Sequence, residues 1–103
     1  MEERIERTAL KHLIHTEQYA RKVLPFLKEE YFSDRLEKLI FREIALFYEK
    51  YNAQPTNETL AIELNGRKDI NDSEFQNITS TIATFQKEEI NLEWLISTTE
   101  KFC

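Results

Sequence analysis

The sequence predicts an all-α domain, a compact orthogonal bundle of about six helices. Three observations carry that prediction. The chain of 103 residues holds one Gly and two Pro, while strand-rich folds need many tight turns and tight turns need Gly. Apolar residues recur at steps of three and four, the spacing of one helical face. Hydrophobic residues make up 41% and charged residues 32%, a globular balance rather than a disordered one. The length suits one domain, residues 1–103, with a single core.

The elements follow in order. A first helix is expected from about Glu3 to His15, with Ile5, Ala9, Leu10, Leu13 and Ile14 on its apolar side. Thr16 can cap a shorter helix carrying Tyr19, Ala20, Val23 and Leu24, and Pro25 bends the chain after it. A short charged turn leads to the bulky pair Tyr31-Phe32. Ser33 is a suitable N-cap for the third and longest helix, with Asp34 near its positive end. Its apolar series is Leu36, Leu39, Ile40, Ile44, Phe47 and Tyr51, flanked by Phe41 and Tyr48, and Asn52 to Pro55 closes it.

Thr56 or Asn57 starts a fourth helix with Leu60, Ala61 and Leu64. Gly66 stands where a helix end commonly takes positive φ. Asn71 and Glu74 resemble a capping box for a fifth helix carrying Phe75, Ile78, Ile82 and Phe85. Asn91 can cap a sixth with Leu92, Leu95, Ile96 and Phe102, and with Trp94 on another side. That helix reaches Cys103 with no stop signal, which reads equally as a frayed end and as a cut from a longer chain.

Charge and motifs bound the chemistry. Nineteen acids against 14 bases give a net charge of −5, which disfavours phosphate, so tight DNA binding is not expected. The single cysteine allows no intrachain disulfide, and no apolar run reaches membrane-spanning length. These features point to a reducing cytoplasm. The three Asn-x-Ser/Thr sequons, at Asn57, Asn71 and Asn77, read as accidents of a polar composition.

His12 and His15 lie three apart on one helix, yet no recognised metal pattern such as HExxH surrounds them, and they read as partly exposed helix-end histidines. Cys103 lacks the ordered setting a nucleophile needs. The pairs Glu29-Glu30 and Glu88-Glu89 point about 100° apart on a helix and cannot converge as an acid/base dyad. A GxxxxGK[ST] phosphate loop is impossible with one Gly. No catalytic, cofactor-binding or metal-binding residue is assigned, and no enzyme activity is expected of this chain. Seven Phe, four Tyr and one Trp are a rich aromatic supply. Tyr48, Tyr51, Trp94 and Phe102 sit least neatly in the core pattern and are the candidate partner interface.

The order of certain residues is also informative. It runs Leu13-Ile14, Val23, Leu27, Tyr31-Phe32, Leu39-Ile40-Phe41 with Ile44, Phe47-Tyr48, Pro55, Thr59-Leu60 and Leu64. This resembles the N-terminal domain of DnaB-type replicative helicases. His12-Leu13-Ile14, Glu30-Tyr31-Phe32, Trp94-Leu95 and Thr99-Glu100-Lys101 bring it nearest to the branch found in T-even-type phages. The resemblance covers nearly the whole chain and rests on core and turn residues. It implies a DnaB N-terminal-domain-like bundle, a collar fragment without the family's ATP-driven motor. In that family such domains form a ring, commonly as three dimers, within a hexamer. They also dock primase, and a helicase loader is a further possible partner. The isolated domain would then be a monomer or weak dimer. The alternative is an unrelated small helical adaptor or regulatory phage protein that binds a host protein.

Overall fold

In the computed structural model, which describes residues 5–87 and 89–102, regular structure is helical throughout and no strand occurs among the described residues. Six α-helices follow one another: α1 (Ile5–His15), α2 (Glu17–Val23), α3 (Arg35–Tyr51), α4 (Asn57–Asn65), α5 (Asp72–Ala83) and α6 (Leu92–Phe102). A single 3-10 turn, Glu29–Tyr31, sits between α2 and α3. The expected start of the first helix near Glu3, the second acidic pair through Glu88, and Cys103 lie outside the described residues.

Each boundary has a local cause. Pro25 follows the end of α2 at Val23, where its missing N–H and fixed φ stop the helix. The N-cap of α3 is Asp34 rather than Ser33; its carboxylate accepts the Leu36 amide at 2.8 Å. An aspartate cap also places a negative charge on the helix's positive end, which a serine cannot do. Thr16 stands at the N-cap of α2 but makes no capping hydrogen bond, because its Oγ1 lies 2.7 Å from His12 Nδ1.

Thr56 caps α4 through the Thr59 amide at 3.0 Å. Asn71 and Glu74 form the expected capping box at α5. Asn91 Oδ1 accepts the Trp94 amide at 2.9 Å at the start of α6. Gly66 does not take positive φ: it ends α4 at φ −83. The left-handed residue is Asn52, φ 53, at the end of α3, a conformation that Asn adopts more readily than most residues.

α3 is the central element. It packs against α1, α4, α5 and the 3-10 turn, while α6 lies on α2 and α1. The inward stripe of α3 is Leu39, Ile40, Phe41 and Ile44, so Phe41 belongs to the core and Tyr51 does not. Phe32 is fully buried, stacked on Phe41 with ring centres 5.1 Å apart. Leu10, Leu13, Tyr19, Leu60, Ile78 and Leu95 join one continuous core. Phe85 is buried although it lies beyond the end of α5, held in the loop rather than on the helix. The radius of gyration, 12.9 Å, is that of a single globule of this length.

Candidate docking surfaces

The polar groups inside the bundle are structural stitches. Tyr19 and Thr99 meet hydroxyl to hydroxyl at 2.7 Å in the interior, and the Thr99 hydroxyl also lies 2.7 Å from the Leu95 carbonyl. This joins α2 to α6. Two side chains converge on the Phe85 carbonyl: His15 Nε2 at 3.0 Å and Asn57 Nδ2 at 2.9 Å. Both nitrogens donate there, since a carbonyl only accepts. The Gln54 side-chain amide is used in the same way at the end of α1, where its Nε2 donates to the Leu13 and Ile14 carbonyls at 3.2 and 3.1 Å. Those carbonyls belong to the last turn of a helix and have no partner within it.

His12 is fully buried, not partly exposed as its place near a helix end suggested. Its ring meets Tyr19 edge-on at 6.3 Å, because α2 folds back over that side of α1. His15 is half-buried and engaged with the loop, so the two histidines do not share a site. Among the described residues no group of three or more His, Cys, Asp or Glu could hold a metal ion. No helix of the described residues is long and apolar enough to cross a membrane.

Two acids of α3 are buried and paired. Glu43, 3% exposed, accepts both Arg67 Nε at 3.0 Å and Arg67 Nη2 at 2.6 Å. This bidentate bond holds the Arg67 guanidinium more basic than usual. Glu37 is fully buried with Arg7 Nε at 3.2 Å. Further out, Arg42 bridges Glu29 and holds its carboxyl below the ordinary range by direct hydrogen bonding. Arg35 does the same for Glu74.

The apolar surface divides between separate places. The first is a groove between the end of α2 and α3, about 320 Å³, lined by Arg21, Leu24, Pro25, Ala45, Tyr48 and Glu49. It runs on past Leu24 and Ala45 into a second hollow floored by Leu27 and Phe41. The Tyr48 hydroxyl is buried here without a hydrogen-bond partner among the described residues, and Arg21 lies 5.6 Å over the ring. The second is a shallow pocket of about 170 Å³ between α3 and α4, edged by Leu46, Phe47 and Tyr51.

The four aromatic candidates are therefore distributed rather than assembled. Tyr48 lines the α2–α3 groove, and Tyr51 stands exposed at the α3–α4 pocket against Phe47. Trp94 projects from α6, 54% exposed. Phe102 is half-buried, edge-on to Phe32 at 6.3 Å. Leu46 and Ile62, exposed at 43% and 66%, were not singled out by the sequence. Leu46 breaks the core pattern of α3 only once the inward direction of that helix is known.

Over 93 residues the chain is 27% identical to the DnaB-like replicative helicase of Enterobacteria phage T4. The aligned part takes in 90% of this chain and 19% of that protein, so the chain spans about a fifth of its relative's length. No family model and no solved structure matches the chain. At this level the chain is similar to a region of a phage helicase.

Proposed function

We propose that this chain is a non-catalytic assembly and protein-docking domain of a phage replicative helicase. On this reading it supports ring formation with other helicase subunits and interacts with primase at the replication fork, in the host cell cytoplasm. A helicase loader is a further candidate partner. The observation that carries the reading is the likeness to the phage T4 DnaB-like helicase over nine-tenths of the chain.

The physical chemistry agrees with such a role. The grooves beside α3 are floored by apolar side chains and rimmed by charges, the composition of a protein-binding surface. A net charge of −5 lets a DNA strand pass without adhering. With one Gly the chain has no phosphate loop, so on this reading ATP hydrolysis belongs to a motor outside it, and the domain needs no cofactor.

The test is binding to the cognate primase, followed by titration calorimetry, together with competition in a helicase-stimulated priming assay. The expected outcome is saturable binding and a fall in primer synthesis as the fragment is added. Absence of both effects overturns the reading in favour of an unrelated helical adaptor that binds a host protein.

A further inference from the structure

We propose that Asn65-Gly66, at the end of α4, is a site of spontaneous deamidation whose product disturbs the Arg67–Glu43 pair beside it. Asn65 is the last residue of α4, and both it and Gly66 are exposed. The reaction needs an asparagine side chain in solvent, a following residue with no Cβ to hinder ring closure, and a backbone that can open. Gly66 meets the second need. The fold itself does not require glycine here: φ is −83, and a Cβ would meet nothing closer than the Glu63 carbonyl oxygen at 3.5 Å. Asn52, Asn57, Asn71, Asn77 and Asn91 are each followed by a residue that carries a side chain. Three of them are also engaged through their side-chain amides, Asn57 with the Phe85 carbonyl, Asn71 with the Glu74 amide and Asn91 with the Trp94 amide.

The step uses the chain and one water. The Gly66 amide nitrogen gives up its proton and attacks Asn65 Cγ. The N–Cγ bond forms, the Cγ–Nδ2 bond breaks, and ammonia leaves with the proton. Water then opens the five-membered imide at either carbonyl. The product is aspartate or, where the main chain is rerouted through the side chain, isoaspartate. In the folded chain the attacking nitrogen is hydrogen-bonded to the Glu63 carbonyl at 3.2 Å, the long end of the usual range. Reaction therefore waits on fraying of the last turn, among the least costly openings in a protein.

Either product adds a carboxylate at the negative end of α4, which the helix dipole disfavours, in a chain already at −5. Two residues on, Arg67 holds Glu43, which is 3% exposed. The new charge joins Glu63, which already acts on Arg67, and competes with Glu43 for the guanidinium. Isoaspartate also lengthens the backbone leading to Arg67 by one methylene. A buried carboxylate that loses its partner is strongly destabilising. Arg67 and Glu43 line the α3–α4 pocket, so the change reaches the rim of that surface. This chemistry goes beyond the proposed function and holds whatever the domain docks.

The test is to age the folded 103-residue chain at mildly alkaline pH and body temperature. Peptide mapping by mass spectrometry, with labelling by an isoaspartate-specific methyltransferase, then locates the product. The expected result is conversion at Asn65 ahead of every other asparagine, within about tenfold of the rate in the urea-unfolded chain. The rate should rise with pH, because the attacking nitrogen must lose its proton. Gly66→Ala, checked for folding by circular dichroism, should slow conversion several-fold. The aged chain should melt below the fresh one, and Asn65→Asp, which carries the charge from the start, should melt lower as well. The site is overturned if Asn65 stays intact after the urea-unfolded chain has converted, if another asparagine converts first, or if a folded Gly66→Ala chain converts as fast as the native sequence. Conversion at Asn65 with an unchanged melting curve overturns the coupling to Arg67 and Glu43.

Discussion

The α1–α2–α6 interior and the outer α3–α4 edge differ in what they bury and what they leave in solvent. On the first, hydroxyls and a histidine ring are buried and matched: Tyr19 with Thr99, and His12 with Thr16. On the second, Leu46, Tyr51 and Ile62 stand exposed. A buried polar pair adds little net stability but is costly to break, so it fixes one arrangement of the helices it joins. An exposed apolar edge gains nothing until something covers it. The first side holds the bundle in one form, and the second is, on the proposed reading, the one left to meet other proteins.

The largest break in that contrast is Phe32→Ala. Phe32 is fully buried and contacts both Phe41 of α3 and Phe102 of α6. Its loss is expected to cost about 3–5 kcal/mol, enough to unfold a domain of this size at modest temperature, read from urea denaturation. Tyr19→Phe should cost about 1–2 kcal/mol, since it removes one hydroxyl while Thr99 keeps the Leu95 carbonyl. Hydrogen exchange should show the loss concentrated in α6. Equal loss across α4 and α5 would mean the stitch does not act locally.

Asn52→Gly sharpens the comparison from the other direction. Asn52 holds φ 53 at the end of α3, and glycine meets this conformation without a Cβ clash while gaining freedom when unfolded. The two effects oppose each other, and the expected net change in the melting curve is a stabilisation of at most about 0.5 kcal/mol.

Acid titration separates the exposed ion pairs from the buried stitches. Arg42 and Arg35 hold the Glu29 and Glu74 carboxyls below their ordinary value of 4.5. The unfolded chain therefore takes up these protons at a higher pH than the folded one. The stability they contribute is complete above pH 4.5 and is lost as pH falls through the lowered values. Both pairs are exposed and screened, so the loss is small. Arg42→Gln should flatten part of the fall in thermal midpoint below pH 4.5, and an unchanged acid limb would contradict this. The smallest expected effect on stability is that of Tyr51→Ala, within about 0.5 kcal/mol because the ring is outside the core.

Much of the bundle is legible in the sequence, for reasons that differ by element. The long run of threes and fours that makes α3 a helix, the Asn71–Glu74 capping box and the stop at Pro25 are local signals that the structure places as expected, although the inward stripe of α3 takes Phe41 and leaves Tyr51 out. Ser33 and Asp34 are adjacent and both cap well, so only the geometry of the entering chain selects Asp34. Gly66 misleads because glycine permits positive φ without requiring it; α4 ends right-handed and the strained turn falls to Asn52. His12 is buried by α2 folding back over α1, a tertiary fact with no local signature. The interface candidates mark side chains out of register with the core, which holds for Tyr51 and Trp94. The rule cannot say that Tyr48 lines one groove, Tyr51 another, and Phe102 leans on Phe32, because helical spacing carries no information about which helix lies opposite.

The most direct test of the contrast is amide chemical-shift mapping of the labelled chain titrated with cognate primase. The account predicts shifts confined to the α2–α3 groove around Leu24, Ala45 and Tyr48 and to the α3–α4 strip around Leu46 and Tyr51, with the Tyr19–Thr99 interior unmoved. Shifts centred on α5, or a spectrum unchanged at saturating primase, would contradict it.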